Sequence, residues 1–134
     1  MVVAGLLLAA DLLALPWHRY HLDVGDLAIQ VPTFDLRRTG VQSPQAAFGV
    51  VAMLLGLAMA LHVAVTKLVP TLPRLEQVHL VAGAVALGVV LAKLLADRDF
   101  LGTGAWAGTV LAVALAYGGF ALSQEAVDGA LPDG

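Results

Sequence analysis

Four apolar runs divide the chain, at about residues 1–16, 46–66, 76–96 and 104–123, and the polar positions collect between them. Each run is apolar on nearly every face and close to the length of about 20 residues that carries a helix across a bilayer core. The pattern predicts an all-α membrane protein, a four-transmembrane-helix bundle filling residues 1–126 as one unit, with a short acidic tail at 127–134. The first run is the shortest. Pro16 stops it, and the absence of a positively charged start makes it read as an uncleaved spanning helix and not as a signal peptide.

The long polar stretch, residues 17–45, follows its own period. Leu22, Val24, Leu27, Ile29 and Val31 alternate around Gly25 and Asp26, which predicts a β-hairpin-like loop between helices one and two. Trp17 and Tyr20 fit the aromatic belt of a membrane–water boundary, and Pro44 suits the entry to the second helix. Two prolines, Pro70 and Pro73, break the link between the second and third runs.

Within the apolar runs, small residues recur every fourth position: Ala52, Gly56, Ala60 in the second, Ala84, Gly88, Ala92 in the third, and Gly104, Gly108, Ala112, Ala116 in the fourth. Such a ladder forms a helix stripe with almost no side chain, against which another backbone can lie closely. Three ladders in so small a bundle exceed what its own packing obviously requires.

Composition agrees with the pattern. The 134 residues are 60% hydrophobic and 13% charged, with mean hydropathy +0.88, against about 45–50% and about 25% in ordinary globular domains. The absence of cysteine removes disulfides and thiolate chemistry, and a net charge of −3 without a basic cluster gives no footprint for a nucleic-acid partner. The glycines stand at packing intervals and not in a phosphate loop, and neither Ser43 nor Ser123 lies in a nucleophile elbow. No catalytic residue is expected, and the chain reads as a non-enzyme.

Ionisable residues inside apolar runs are costly and need partners. Asp11 lies five residues before Pro16 and Lys93 four before Asp97, so each is about 6–7 Å inside the same end of its helix. They are expected to meet as an intramembrane ion pair. One reading is a clasp between helices one and three; the other is a proton or small-ion relay. His62 and His79 lie near the opposite end, on helices two and three. Facing helices could use such a pair to ligate haem b, in an electron-transfer or quinone-linked protein, or each imidazole could simply bond a carbonyl, Glu76 or water. His18 and His21 with Asp23 or Asp26 have metal-ligand chemistry but loose spacing, and read as solvated interfacial residues. Asp97, Arg98 and Asp99 read as a solvated turn.

The segments LPWH, VQSPQAAFGV, KLLADRDFLGTGAWAGTVLAVALAYGGF and SQEA together resemble a group of small four-helix integral membrane proteins of actinobacteria with no assigned activity. The resemblance covers most of the chain and is strongest from Val78 to Ala126. It implies a bacterial plasma membrane, an extracytoplasmic loop after LPW and cytoplasmic termini. It carries over no catalytic residue. A bare count of positive charges points the other way, because Arg19, Arg37, Arg38 and Arg98 outnumber Lys67 and Arg74. The expectation is an accessory or structural subunit of a larger membrane complex, or a homo-oligomer, with bound lipid and without a required cofactor. Its partners would be membrane lipids and other membrane-protein helices or copies of itself.

Overall fold

A computed structural model describes residues 1–21, 35–42, 45–96, 98 and 101–128. Its elements run α1 (Val2–Ala14), β1 (Pro16–His21), β2 (Asp35–Thr39), α2 (Ala46–Leu68), α3 (Glu76–Ala96) and α4 (Thr103–Asp128). α1 packs on α2 and α4, and α3 packs on the same two, so α1 and α3 oppose each other across the diagonal of a closed helical bundle.

α2, α3 and α4 hold 23, 21 and 26 residues and are long and apolar enough to cross a membrane. At 1.5 Å per residue they reach about 31–39 Å, against a hydrocarbon core of about 30 Å. Only 28% of each apolar window is buried inside the protein. Val81, Val110, Leu61 and Trp106 are among the large side chains left pointing outward. In water such a surface would drive aggregation, whereas lipid solvates it. The chain is mostly helical, and three of its helices have the length and apolar surface of membrane spans. α1 is apolar too, but its 13 residues extend only about 20 Å. It is shorter than the run that predicts it because a residue before proline is driven out of the helical region, and Leu15 is extended at φ −87°, ψ 148°.

The chain enters a strand directly. Pro16 opens β1, the place where a missing N–H costs a ladder least, and β1 pairs antiparallel with β2. The strands lie outside the stretch where alternation is clearest: residues 22–34, including Gly25 and Asp26, fall outside the described residues. The register shifts between Pro16 and His18, which takes Trp17 off the ladder. On the other edge of β1, the Gly102 N–H donates to the Trp17 carbonyl at 2.7 Å, and His18 bridges Leu101. β1 is thus stitched to the start of α4 as well as to β2, and the small sheet closes one end of the bundle.

The core below it is built from Leu8 and Leu12 of α1, Trp17, Ala52 and Met59 of α2, Ala86 and Val90 of α3, and Ala105, Ala112 and Leu115 of α4. Helices approach closely between α1 and α2, where a Cβ on Gly5 would run into the Gly56 carbonyl, and between α4 and α3, where one on Gly119 would stand 2.6 Å from the His79 carbonyl.

Candidate functional site

Trp17 organises the sheet-covered end. It is fully buried and not an interfacial belt residue, because its ring fills a slot left open by two glycines of α4. A Cβ on Gly104 would stand 2.8 Å from the indole, and one on Gly108 would collide with the ring and lie 2.6 Å from Asp11 Oδ2. The indole Nε1–H donates to Asp11 Oδ2 at 2.9 Å. Asp11 is 4% exposed, and its Oδ1 is buried without a hydrogen-bond partner among the described residues.

Lys93 is 1% exposed and takes a different route. Its Nζ donates to the Gln45 carbonyl at 3.2 Å and to the Gln42 carbonyl at 3.5 Å. Gln45 caps the start of α2 in the left-handed region, φ 48°, and no side chain caps that helix. The ammonium therefore anchors the chain where it turns from β2 into α2. Asp11 and Lys93 are expected to meet, and the hydrogen bonds run elsewhere because α1 and α3 are diagonal and the Trp17 ring occupies the space beside the carboxylate. His18 is buried rather than solvated, within β1 between Arg38 of β2 and Leu101, while Asp23 and Asp26 lie outside the described residues. Arg98 is exposed, and Asp97 and Asp99 fall outside the described residues.

At the opposite end His62 of α2 and His79 of α3 come together. Their ring centroids are 4.8 Å apart, tilted by 48°. His79 is 5% exposed, and the Nδ1 of half-buried His62 has no hydrogen-bond partner among the described residues. The pair lies in a half-open cleft of about 470 Å³ between the ends of α2 and α4 and the start of α3. Lys67, Arg74, Glu76 and Glu125 stand around it, with Val63, Leu75 and Leu122 as apolar walls. Two imidazoles on opposite faces of one iron would stand about 6 Å apart centre to centre, given metal–nitrogen bonds of about 2 Å. The rings pack more closely than that, so haem ligation would require them to separate. Among the described residues no group of three or more His, Cys, Asp or Glu is placed to hold a metal ion.

The small-residue ladders separate into two kinds. Ala52, Gly56 and Ala60 are buried against α1, and Gly104, Gly108 and Ala112 are buried around Trp17 and the core. Ala116 meets Gly83 of α3, where an added Cβ would come within 3.0 Å of the Ala116 Cα. Ala84, Gly88 and Ala92 all face outward, and nothing lies within 4 Å of where a Gly88 Cβ would be.

Sequence reasoning finds both buried charges and both cleft histidines, because each stands out against an apolar run. It misses Trp17 as the partner of Asp11; the available signal is the helix stop at Pro16, which lets the next residue fold back onto the turn before it. The carbonyls of Gln42 and Gln45 carry no side-chain signature, and Lys67, Arg74 and Glu125 come from separate segments. No family model, curated protein or solved structure matches the chain.

Proposed function

We propose that this protein is an accessory or structural subunit of a bacterial plasma-membrane assembly, docking through the outward face of α3 onto a transmembrane helix of a neighbouring subunit. The observation that carries this reading is the exposed stripe Ala84, Gly88, Ala92 beside two ladders already spent inside the bundle. In lipid there is no hydrophobic gain from bringing two helices together, so close backbone approach over small residues is the main source of attraction. A stripe on one helix is also self-complementary under a two-fold axis, so a second copy is the simplest neighbour. In this reading α1 completes a four-span bundle, with the termini cytoplasmic and the sheet-covered end outside.

The experiment is association in mild detergent or nanodiscs. The wild-type chain is expected to run as a dimer or larger assembly, and Gly88→Leu is expected to release monomers of unchanged helical content. A wild-type protein that stays strictly monomeric and co-purifies with nothing would overturn the reading. Haem-linked electron transfer draws less support from the close histidine pair, and ion transport less from Asp11 and Lys93 bonding to separate partners.

A further inference from the structure

We propose that the cleft at His62 and His79 binds a phosphodiester that also carries an ammonium group, the chemistry of a zwitterionic phospholipid headgroup. The cleft is half-open and not a flat patch, and its volume of about 470 Å³ falls within the range of small-molecule sites, about 300–1,000 Å³. It sits where α2 ends, α3 begins and α4 ends, the level at which membrane-crossing helices meet headgroups. α1 contributes nothing to its lining.

Its polar groups select the ligand. Lys67 and Arg74 supply positive charge, and Glu76 and Glu125 supply the same amount of negative charge. No ion pair joins these four to one another among the described residues. An acidic headgroup would gain the two cations but face both carboxylates, and a cationic ligand would face the reverse. A molecule bearing both signs satisfies all four. Arg74 and Lys67 would take the phosphate, assisted by the orphan N–H groups in the first turn of α3. Glu76 and Glu125 would take the ammonium. Imidazole lines the cleft, and the Nδ1 of His62, buried and without a hydrogen-bond partner among the described residues, would reach a phosphate oxygen by rotation of its ring. Val63, Leu75 and Leu122 offer the apolar wall that a glycerol and the first acyl carbons require.

The test measures retention of defined lipids on the purified full chain by native mass spectrometry. Phosphatidylethanolamine is compared with phosphatidylglycerol, and soluble phosphoethanolamine serves as competitor. The wild-type protein is expected to retain phosphatidylethanolamine about tenfold better than phosphatidylglycerol, since each charge-assisted bond is worth about a factor of ten. The pair Lys67→Ala with Arg74→Ala is expected to lose about a hundredfold in that retention, about tenfold for each bond removed. Glu76→Gln with Glu125→Gln is expected to erase the preference between the two lipids. Lys67, Arg74 and Glu125 are exposed, so these variants leave the packing intact. Displacement by phosphoethanolamine would support the same chemistry with a soluble source, and retention despite it would support a bilayer source. Equal retention of both lipids by the wild type, or retention unchanged in both double variants, would overturn the proposal. Because retention is read on each oligomeric species separately, its failure is distinct from failure of docking through α3.

Discussion

At the scale of single residues, the two buried charges are held in unequal ways. Asp11 depends on one indole N–H, whereas Lys93 bonds two backbone carbonyls. Trp17→Phe keeps most of the ring but removes the only hydrogen bond to a buried carboxylate among the described residues, and is expected to cost about 1–3 kcal/mol. Asp11→Asn keeps an acceptor oxygen for Trp17 and removes a charge from an apolar site, so it is expected to be neutral or stabilising. Denaturant unfolding in detergent checks the order; an Asn variant weaker than the Phe variant would mean that the negative charge itself is held by something else. Lys93→Met keeps the length of the stem but removes the ammonium from the Gln42 and Gln45 carbonyls, of which Gln45 keeps the Phe48 N–H as donor. It is expected to cost about 2 kcal/mol, with hydrogen exchange rising first at the start of α2.

At the scale of elements, the same residue type has opposite meanings on two helices. Gly108 of α4 is where Trp17 and Asp11 press against the backbone, and Gly88 of α3 faces open space. Gly108→Ala is expected to destabilise the chain by about 1–3 kcal/mol, because the ring cannot retreat from a sealed core. Gly88→Ala is expected to stabilise the isolated chain by up to about 1 kcal/mol, since only the helix-propensity gain remains. Melting temperatures of the two variants in one detergent compare the signs directly. A loss at both positions would mean that Gly88 is covered, by the neighbour proposed to dock on α3 if the protein is associated and by its own chain if it is monomeric. Four-residue spacing reveals that a stripe exists, but it cannot say which neighbour the stripe meets. That depends on how each helix is rotated in the bundle: Trp17 lies against Gly104 and Gly108 of α4, Gly5 of α1 against Gly56 of α2, and Gly83 of α3 against Ala116 of α4.

At the scale of the whole molecule, the bundle has two unlike ends. One carries the sheet, Trp17 and the start of α4; the other carries the open cleft. Arg98 and Thr71 lie beyond opposite ends of α3, so single cysteines placed there are expected to react from opposite sides of the membrane. The chain has no cysteine of its own to confuse the labelling. With the termini cytoplasmic, Arg98→Cys reacts from outside and Thr71→Cys only after permeabilisation. Labelling of both from one side would remove α3 as a membrane-crossing helix.

The sequence by itself determined the apolar runs long enough to span a membrane, the places where α2, α3 and α4 begin, and the presence of costly groups at Asp11, Lys93, His62 and His79. These follow from local physics: a run of apolar residues must satisfy its backbone within a helix, and a charge within such a run must find a partner. Only the tertiary structure decided which partner. Trp17 reached Asp11 because Leu15 and Pro16 turned the chain back, and Lys93 reached two carbonyls because α3 lies diagonal to α1. The cleft was completed when the distant end of α4 packed against the α2–α3 turn, and the outward stripe on α3 was distinguished from the other two ladders only by burial. Contacts of that kind depend on helix rotation and crossing, which a four-residue period leaves free.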